Sequence, residues 1–202
     1  MKKTKIALTI FLLSTISLFS QTEKGKYYLG AQSKLGASFT KQKLKSNTIT
    51  QEYGSTNTFS LSPQVGYFIA DNFVIGIELA MSFSNYTDKN NHSSSANNTY
   101  LFAPFLKYYF SQNEFKPFLF AEYGIGTHHS KYNSTYYNFD GKSKLSALAI
   151  GGGISYFINS TIGLDLGINY TSTSSKANEN NPNEDKNIIS GITSTVGFTI
   201  SL

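Results

Sequence analysis

The chain has 202 residues, 40% of them hydrophobic, with 16 Phe, 14 Tyr, no Trp and no Cys, and it carries a formal charge of +5 at pH 7. The lack of cysteine excludes a disulfide scaffold and a structural cysteine–zinc module, and this apolar content excludes wholesale disorder. Apart from histidine every cationic residue is Lys, and Lys2, Lys3 and Lys5 carry most of the excess charge, so no nucleic-acid partner is indicated.

Residues 1–20 read as a signal peptide: a cationic start, an apolar run at 6–19 that is short for a spanning helix, and the small Ser20 before a cut at Gln21. The folded domain is then 21–202. Beyond the leader no apolar run is long enough for a spanning helix, and the recurring pattern has a period of two. Tyr27, Leu29, Ala31, Leu35, Ala37 and Phe39 alternate with Tyr28, Gly30, Gln32, Lys34, Gly36 and Ser38, so a strand there has one apolar and one small or polar face. The same alternation predicts strands over 59–69, 73–83, 100–110, 119–125, 148–156, 162–170 and 192–202. Three connections are tight, at 70–72, 111–114 and 159–160, and four are long and polar, at 41–56, 85–97, 129–142 and 172–186. Eight long strands with short turns at one end and long loops at the other describe an all-β, eight-stranded, antiparallel, up-and-down transmembrane β-barrel. Both termini then lie on the short-turn side, taken as periplasmic.

Sterics fix which face meets lipid. Most of the 16 glycines fall on the small face, and an eight-stranded barrel has an interior just wide enough for side chains to fill. Placed outward, the bulky face meets hydrocarbon, while ring closure pairs every backbone amide. Phe105, Phe118 and Phe120 fall on the inner face, where they are expected to fill gaps. Aromatic residues gather at both outward rims: Tyr27, Tyr67, Phe73, Tyr108, Phe110 and Tyr156 at the short turns, and Phe39, Phe59, Phe83, Tyr100, Tyr123 and Tyr170 at the long loops. Two such girdles suit the two membrane interfaces.

The segments Gly66-Tyr67-Phe68-Ile69-Ala70-Asp71-Asn72-Phe73, Pro104-Phe105-Leu106-Lys107-Tyr108-Tyr109-Phe110 and Lys116-Pro117-Phe118 carry a family likeness. With the first echoed at Ser155-Tyr156-Phe157-Ile158-Asn159, the chain from 27 to 202 resembles the small outer-membrane β-barrels of Bacteroidetes-type Gram-negative bacteria. These are related in shape to the transmembrane domain of outer membrane protein A and to the X-type barrels. The resemblance implies a bacterial outer-membrane location among lipid and lipopolysaccharide. It also implies that the barrel-assembly machinery reads a terminal alternating signal, matched by Phe198, Ile200 and Leu202.

The inner face carries Lys34, Glu78, Lys107, Lys116, Glu122 and Asp165, which are expected to pair because an unpaired buried charge is costly. A salt-bridge network would plug the lumen; the alternatives are a narrow porin-like channel or a conduit for hydrophobic solutes. His128-His129-Ser130 resembles the His-x-Ser arrangement of lipid A deacylase barrels, but no acidic partner for the histidine stands out in the sequence, and His128 and Ser130 are placed inward or at the rim. A lipid A-modifying enzyme is therefore the third reading, behind a non-enzymatic barrel. No metal-ligand spacing and no cofactor motif is found. The four long loops, including the aromatic Tyr132, Tyr136, Tyr137 and Phe139, are either a binding surface for an extracellular ligand or polar decoration.

Overall fold

The computed structural model describes residues 22–32, 36–45, 50–88, 92–111, 113–177 and 186–202, without the side chains of 32–53 and 177. The expected signal peptide and Lys34 lie outside the described residues. Ten strand segments follow one another: β1 (Tyr27–Gln32), β2 (Gly36–Lys45), β3 (Thr50–Leu61), β4 (Pro63–Ala70), β5 (Phe73–Asp88), β6 (Ser93–Tyr109), β7 (Phe115–Asn133), β8 (Asn138–Phe157), β9 (Ile162–Ala177) and β10 (Lys186–Ser201). The order β5-β4-β1-β10-β9-β8-β7-β6 closes on itself through β5–β6, giving a ring of eight. The fold is the expected all-β, antiparallel, up-and-down barrel.

Two strands differ from the alternation pattern. The first, expected to run unbroken from 27 to 39, is described as β1 and β2; the second is interrupted at Ser62 into β3 and β4. Pro63 follows the interruption and has no N–H to carry the ladder across it. Closure rests on β1, whose Tyr28–Gln32 stretch lies opposite residues 201–197 of β10. Residues 36–45 of β2 pair with β3, and 186–193 of β10 pair with β9, with no β2–β10 pairing among the described residues.

The long connections are also shorter than expected. The segments 41–56, 85–97 and 129–142 are largely strand, because β2 and β3, β5 and β6, and β7 and β8 run on into them, and β9 runs on into the fourth as far as Ala177. The register Lys131↔Asp140, Tyr132↔Phe139, Asn133↔Asn138 carries the β7–β8 ladder to a four-residue connection. These extensions carry no apolar alternation because both faces meet water. Ladder hydrogen bonds and residues tolerated in strands, such as Thr and Tyr, are enough to continue them. At 19 and 20 residues, β7 and β8 far exceed the roughly 9–11 residues needed to cross hydrocarbon, so this hairpin projects well beyond the wall.

The short-turn end is tied down. Residues 22–26 fold against the β4–β5 turn, with Gly25 N–H donating to Phe68 O at 2.9 Å and Asn72 N–H to Thr22 O at 2.7 Å. Lys24 N–H donates to Asp71 Oδ1 at 2.8 Å. Asn72 holds φ at 64°, a left-handed conformation that asparagine tolerates better than most residues.

The faces separate as alternation requires. Leu166 and Ile168 are 61% and 65% exposed, while Gly167 and Asn169 beside them are buried. Apolar residues of every strand of the ring line this outer surface, far more than the patch a soluble monomer exposes. This assignment generates a test. Leu79 faces outward and Ser82 inward, where it shares a hydroxyl hydrogen bond with Ser60 at 3.0 Å. Leu79→Arg is expected to destabilise the barrel in vesicles by about 2–4 kcal/mol, and Ser82→Arg by clearly less. Urea titration followed by heat-modifiable gel mobility measures both, and equal losses would invert the face assignment.

Candidate functional site in the barrel lumen

The inner face is not uniformly small. Towards the short turns, extending the alternation brings rings inward at Tyr28, Phe68, Tyr109 and Phe157, which join Val74, Phe105, Phe118 and Phe120 in one buried cluster. The parity of Phe68, Tyr109 and Phe157 with their strand neighbours carries this signal in the sequence, although the pattern of small residues hides it. Glycines paired with the rings on the neighbouring strand leave room for them: Gly76 is opposite Phe105 in the β5–β6 ladder and Gly153 opposite Phe118 in the β7–β8 ladder. A Cβ on Gly76 would sit 2.5 Å from Phe105, and one on Gly153 would sit 2.8 Å from Phe118.

Within the aromatic cluster lies a polar centre. Lys107 Nζ donates to Asp165 Oδ2 at 2.6 Å, and Asp165 also accepts from Ser155 Oγ at 2.5 Å and Thr199 Oγ1 at 2.8 Å. The ammonium lies 4.2 Å from the Phe118 ring centroid, 4.9 Å from that of Tyr109 and 5.5 Å from that of Tyr28. Carboxylate and ring faces together replace the water this charge has lost. A second chain runs from Tyr28 Oη, donating to Gln64 Oε1 at 2.9 Å, through Gln64 Nε2, donating to Glu78 Oε2 at 2.8 Å. Lys116 donates to the Ser111 carbonyl at 2.9 Å, close to the short-turn rim, and Glu122 is buried with Phe105 and Ala149 as its cross-strand neighbours. Of the six expected lumen charges, Lys107 and Asp165 are joined directly, and Lys34 lies outside the described residues.

Above this plug the inner face turns small again and leaves a cavity of about 300 Å³, lined by Ser60, Ser62, Ser82, Thr99, Leu101 and Leu145 among others. The Ser62 hydroxyl is buried there without a hydrogen-bond partner.

Outside, the aromatics chosen at the short-turn rim form contacts between neighbouring strands, Tyr27–Tyr67 and Phe73–Tyr108, and Tyr108 also meets Phe110 at the end of its own strand. Tyr156 meets Phe115 at 4.7 Å, a partner the sequence reading did not select. At the other rim Phe83 contacts both Phe59 and Tyr100, while Tyr123 and Tyr170 stand exposed on the same outer surface. The side chain of Phe39 lies outside those described. Phe198 and Leu202 face outward at the end of β10, and Ile200, paired with Leu29 and Ile162, is half-buried.

A family model described as "Outer membrane protein beta-barrel domain" matches residues 6–199. The chain belongs to this outer-membrane β-barrel family. Among solved structures, Neisserial surface protein A is similar at 20% identity and a TM-score of 0.45, over 86% of this chain and 96% of that one. The N-terminal barrel domain of Pseudomonas aeruginosa OprF is 14% identical with a TM-score of 0.41, over 89% and 98%. OprG from the same organism is 13% identical with a TM-score of 0.40, over 91% and 99%. No curated protein sequence matches.

In this outer-membrane barrel the histidine pair is split between two faces. His128 points inward and shares a hydrogen bond with Thr99 Oγ1 at 2.9 Å. His129 lies on the outward face of the β7–β8 hairpin and does have an acidic partner: Asp140 Oδ1 is 2.5 Å from its Nε2, and Asp140 Oδ2 is 3.1 Å from Lys131 Nζ. The sequence hides this partner because 11 residues separate the two along the chain and only the hairpin ladder brings them together. Ser130 pairs with Gly141 across the strand and lies on the other face from that acid. Among the described residues no group of three His, Cys, Asp or Glu is arranged to hold a metal ion.

Two tests follow from this geometry. Asp165→Asn leaves the Lys107 ammonium without its counter-charge and is expected to cost about 3–5 kcal/mol. Lys107→Met combined with Asp165→Asn should lose clearly less than the two single changes added, as read by denaturant unfolding in vesicles. In the outer hairpin, the hydrogen bonds from His129 and then Lys131 hold the Asp140 carboxyl below its usual range. The contact is therefore complete above the ordinary carboxylate range and is lost as pH falls through the depressed value. Amide exchange at 129–142 should rise on that acid limb, and Asp140→Asn should remove the dependence.

Proposed function

We propose that this outer-membrane barrel is non-enzymatic and closed. In this reading the long hairpins stand outside the cell as a binding and adhesion surface, and both termini lie in the periplasm. The observation that carries the proposal is the filled lumen: rings from β1, β4, β6, β7 and β8 are packed around a desolvated ion pair, with no side chain of the cluster more than 5% exposed. Water cannot thread such a plug, and open aqueous pores belong to barrels of about 16 strands. Support for the binding surface comes from the tip of the β7–β8 hairpin, where Tyr136 is 97% exposed beside the exposed Tyr137 and Phe139. Tyrosine offers a large contact area at low entropic cost.

A conduit for hydrophobic solutes is the second reading, favoured by the cavity of about 300 Å³ above the plug; the rings below it oppose passage through the barrel. His128 and Ser130 share the inward face, while the acid Asp140 lies on the other face beside His129; this separation of the acid from the His-x-Ser pair supports the non-enzymatic assignment. Planar-bilayer recording of the purified barrel tests the closed state. No stable single-channel steps are expected, whereas steps should appear once Phe118→Ala and Tyr109→Ala together thin the plug. Sizeable steps from the unmodified barrel would overturn the proposal.

A further inference from the structure

The cavity above the aromatic plug has two unlike walls. On one side Ser60 of β3 and Ser82 of β5 share their hydroxyl hydrogen bond, and Ser62 lies at the break between β3 and β4. On the other, Leu145 and Ala147 of β8 line the space, reached from β3 round the ring through β5, β6 and β7. Leu101 of β6 adds to that apolar side and lies over Gly124, where a Cβ would sit 2.4 Å from it. Pockets for small molecules have this character, an apolar lining with a few polar groups that fix orientation.

The hydroxyl wall has more bonding capacity than the barrel uses. Two hydroxyls that bond each other spend one proton between them, so Ser60 and Ser82 together retain a donor and spare lone pairs. The Ser62 hydroxyl is buried without a partner among the described residues, whereas Thr99, also at the cavity, shares a bond with His128. Among the described residues no ionisable side chain lines the space, so a charged guest would lack a counter-charge there. The volume of about 300 Å³ is roughly twice the 150 Å³ of an engineered cavity that holds benzene. It has room for a ring with a short chain and too little for a membrane lipid. The lining other than Ser62 is half-buried rather than sealed, and rings fill the short-turn end, so a guest enters and leaves at the hairpin end.

We infer that this cavity is a binding site for a small, neutral, chiefly apolar molecule carrying one hydroxyl, of the size and chemistry of an alkylphenol. Its hydroxyl meets the Ser60–Ser82 pair, and its apolar body lies against Leu101, Leu145 and Ala147. The site's being a dead end rather than a passage rests on the proposal that the barrel is closed. Binding then fills the hollow part of the lumen without disturbing the Lys107–Asp165 centre below it.

The barrel in lipid nanodiscs, with isotope-labelled leucine methyls, is titrated at neutral pH with para-propylphenol, propylbenzene and para-propylbenzoate, and methyl NMR shifts are read. Para-propylphenol should move the Leu101 and Leu145 methyls saturably. Leu119 and Leu166, exposed on the lipid face, report partition into the bilayer and should not saturate. Propylbenzene should bind about fivefold more weakly, the worth of one net hydrogen bond, and para-propylbenzoate should leave both lumen methyls unmoved. Ser60→Ala combined with Ser82→Ala should remove the preference for the phenol over the hydrocarbon, and Ala147→Leu should fill the cavity and abolish saturation by both. If either variant does not fold, Ser82→Ala alone and Thr173→Leu give the same two readings. Equal affinity for phenol and hydrocarbon, shifts confined to Leu119 and Leu166, or saturation that survives Ala147→Leu would each overturn the site. Saturable binding at Leu101 and Leu145 in a barrel that also gives channel steps would sink the closed state and keep the site. Unmoved lumen methyls in an electrically silent barrel would sink the site alone.

Discussion

An eight-stranded cylinder has almost no spare cross-section, and that limit governs nearly every choice along the inner face. A ring can enter only where its neighbour on the adjacent strand yields a side chain. Phe105 lies against Gly76, and Phe118 against Gly153. Conversely, an inner face made wholly of glycine and serine would leave a water-filled tube. The chain fills its interior differently at different depths: aromatic rings against glycine near the short turns, and above them a cavity of about 300 Å³ lined by hydroxyls together with Ala80, Leu101, Leu145 and Ala147. Among the described residues the interior therefore carries an aromatic plug near the short turns and a cavity above it.

That packing also sets the terms for charge. A lysine in such a space has no room for water, so its ammonium must be met by groups already present. Asp165 is the hub because it accepts from Lys107, Ser155 and Thr199, which reach it from β6, β8 and β10. One carboxylate on β9 thereby ties four strands to a single point across the lumen. Rings and carboxylate act together here: the rings fill the volume, and their faces supply the electrostatic surroundings the ammonium has lost. Removing either kind of partner leaves the other badly placed.

How much of this is legible in the sequence depends on whether the two faces of a strand see different surroundings. Between the rims one face meets lipid and the other a cramped interior, so a period of two is strongly imprinted, and fold class, turn positions and lipid-facing residues can be read from it. Beyond the rim both faces meet water, the contrast disappears, and 129–142 reads as loop although the β7–β8 ladder continues through most of it. The His129–Asp140 contact was hidden for the same reason, since it depends on pairing that no periodicity announces. The aromatic floor escaped differently. Phe68, Tyr109 and Phe157 have the correct inward parity, but a reading that equates the inner face with small residues passes over them. Pairing partners within the lumen lie further out of reach, because Lys107 and Asp165 are 58 residues apart and meet only across the closed cylinder.

The outer surface follows a rule opposite to that of the lumen. Inside, a row of residues at one height faces a common centre, so neighbouring strands must offer complementary shapes and charges. Outside, residues at one height face a common layer of the membrane, so neighbouring strands are selected to resemble one another. The Ile150–Tyr170–Ile192 row at the rim and the Lys144–Lys176–Lys186 row beyond it are each alike across three strands. Repetition at constant height is the mark of a planar environment pressing on the wall. The same antiparallel ladder thus carries complementarity on its inner face and uniformity on its outer face, and the period of two lets one sequence satisfy both.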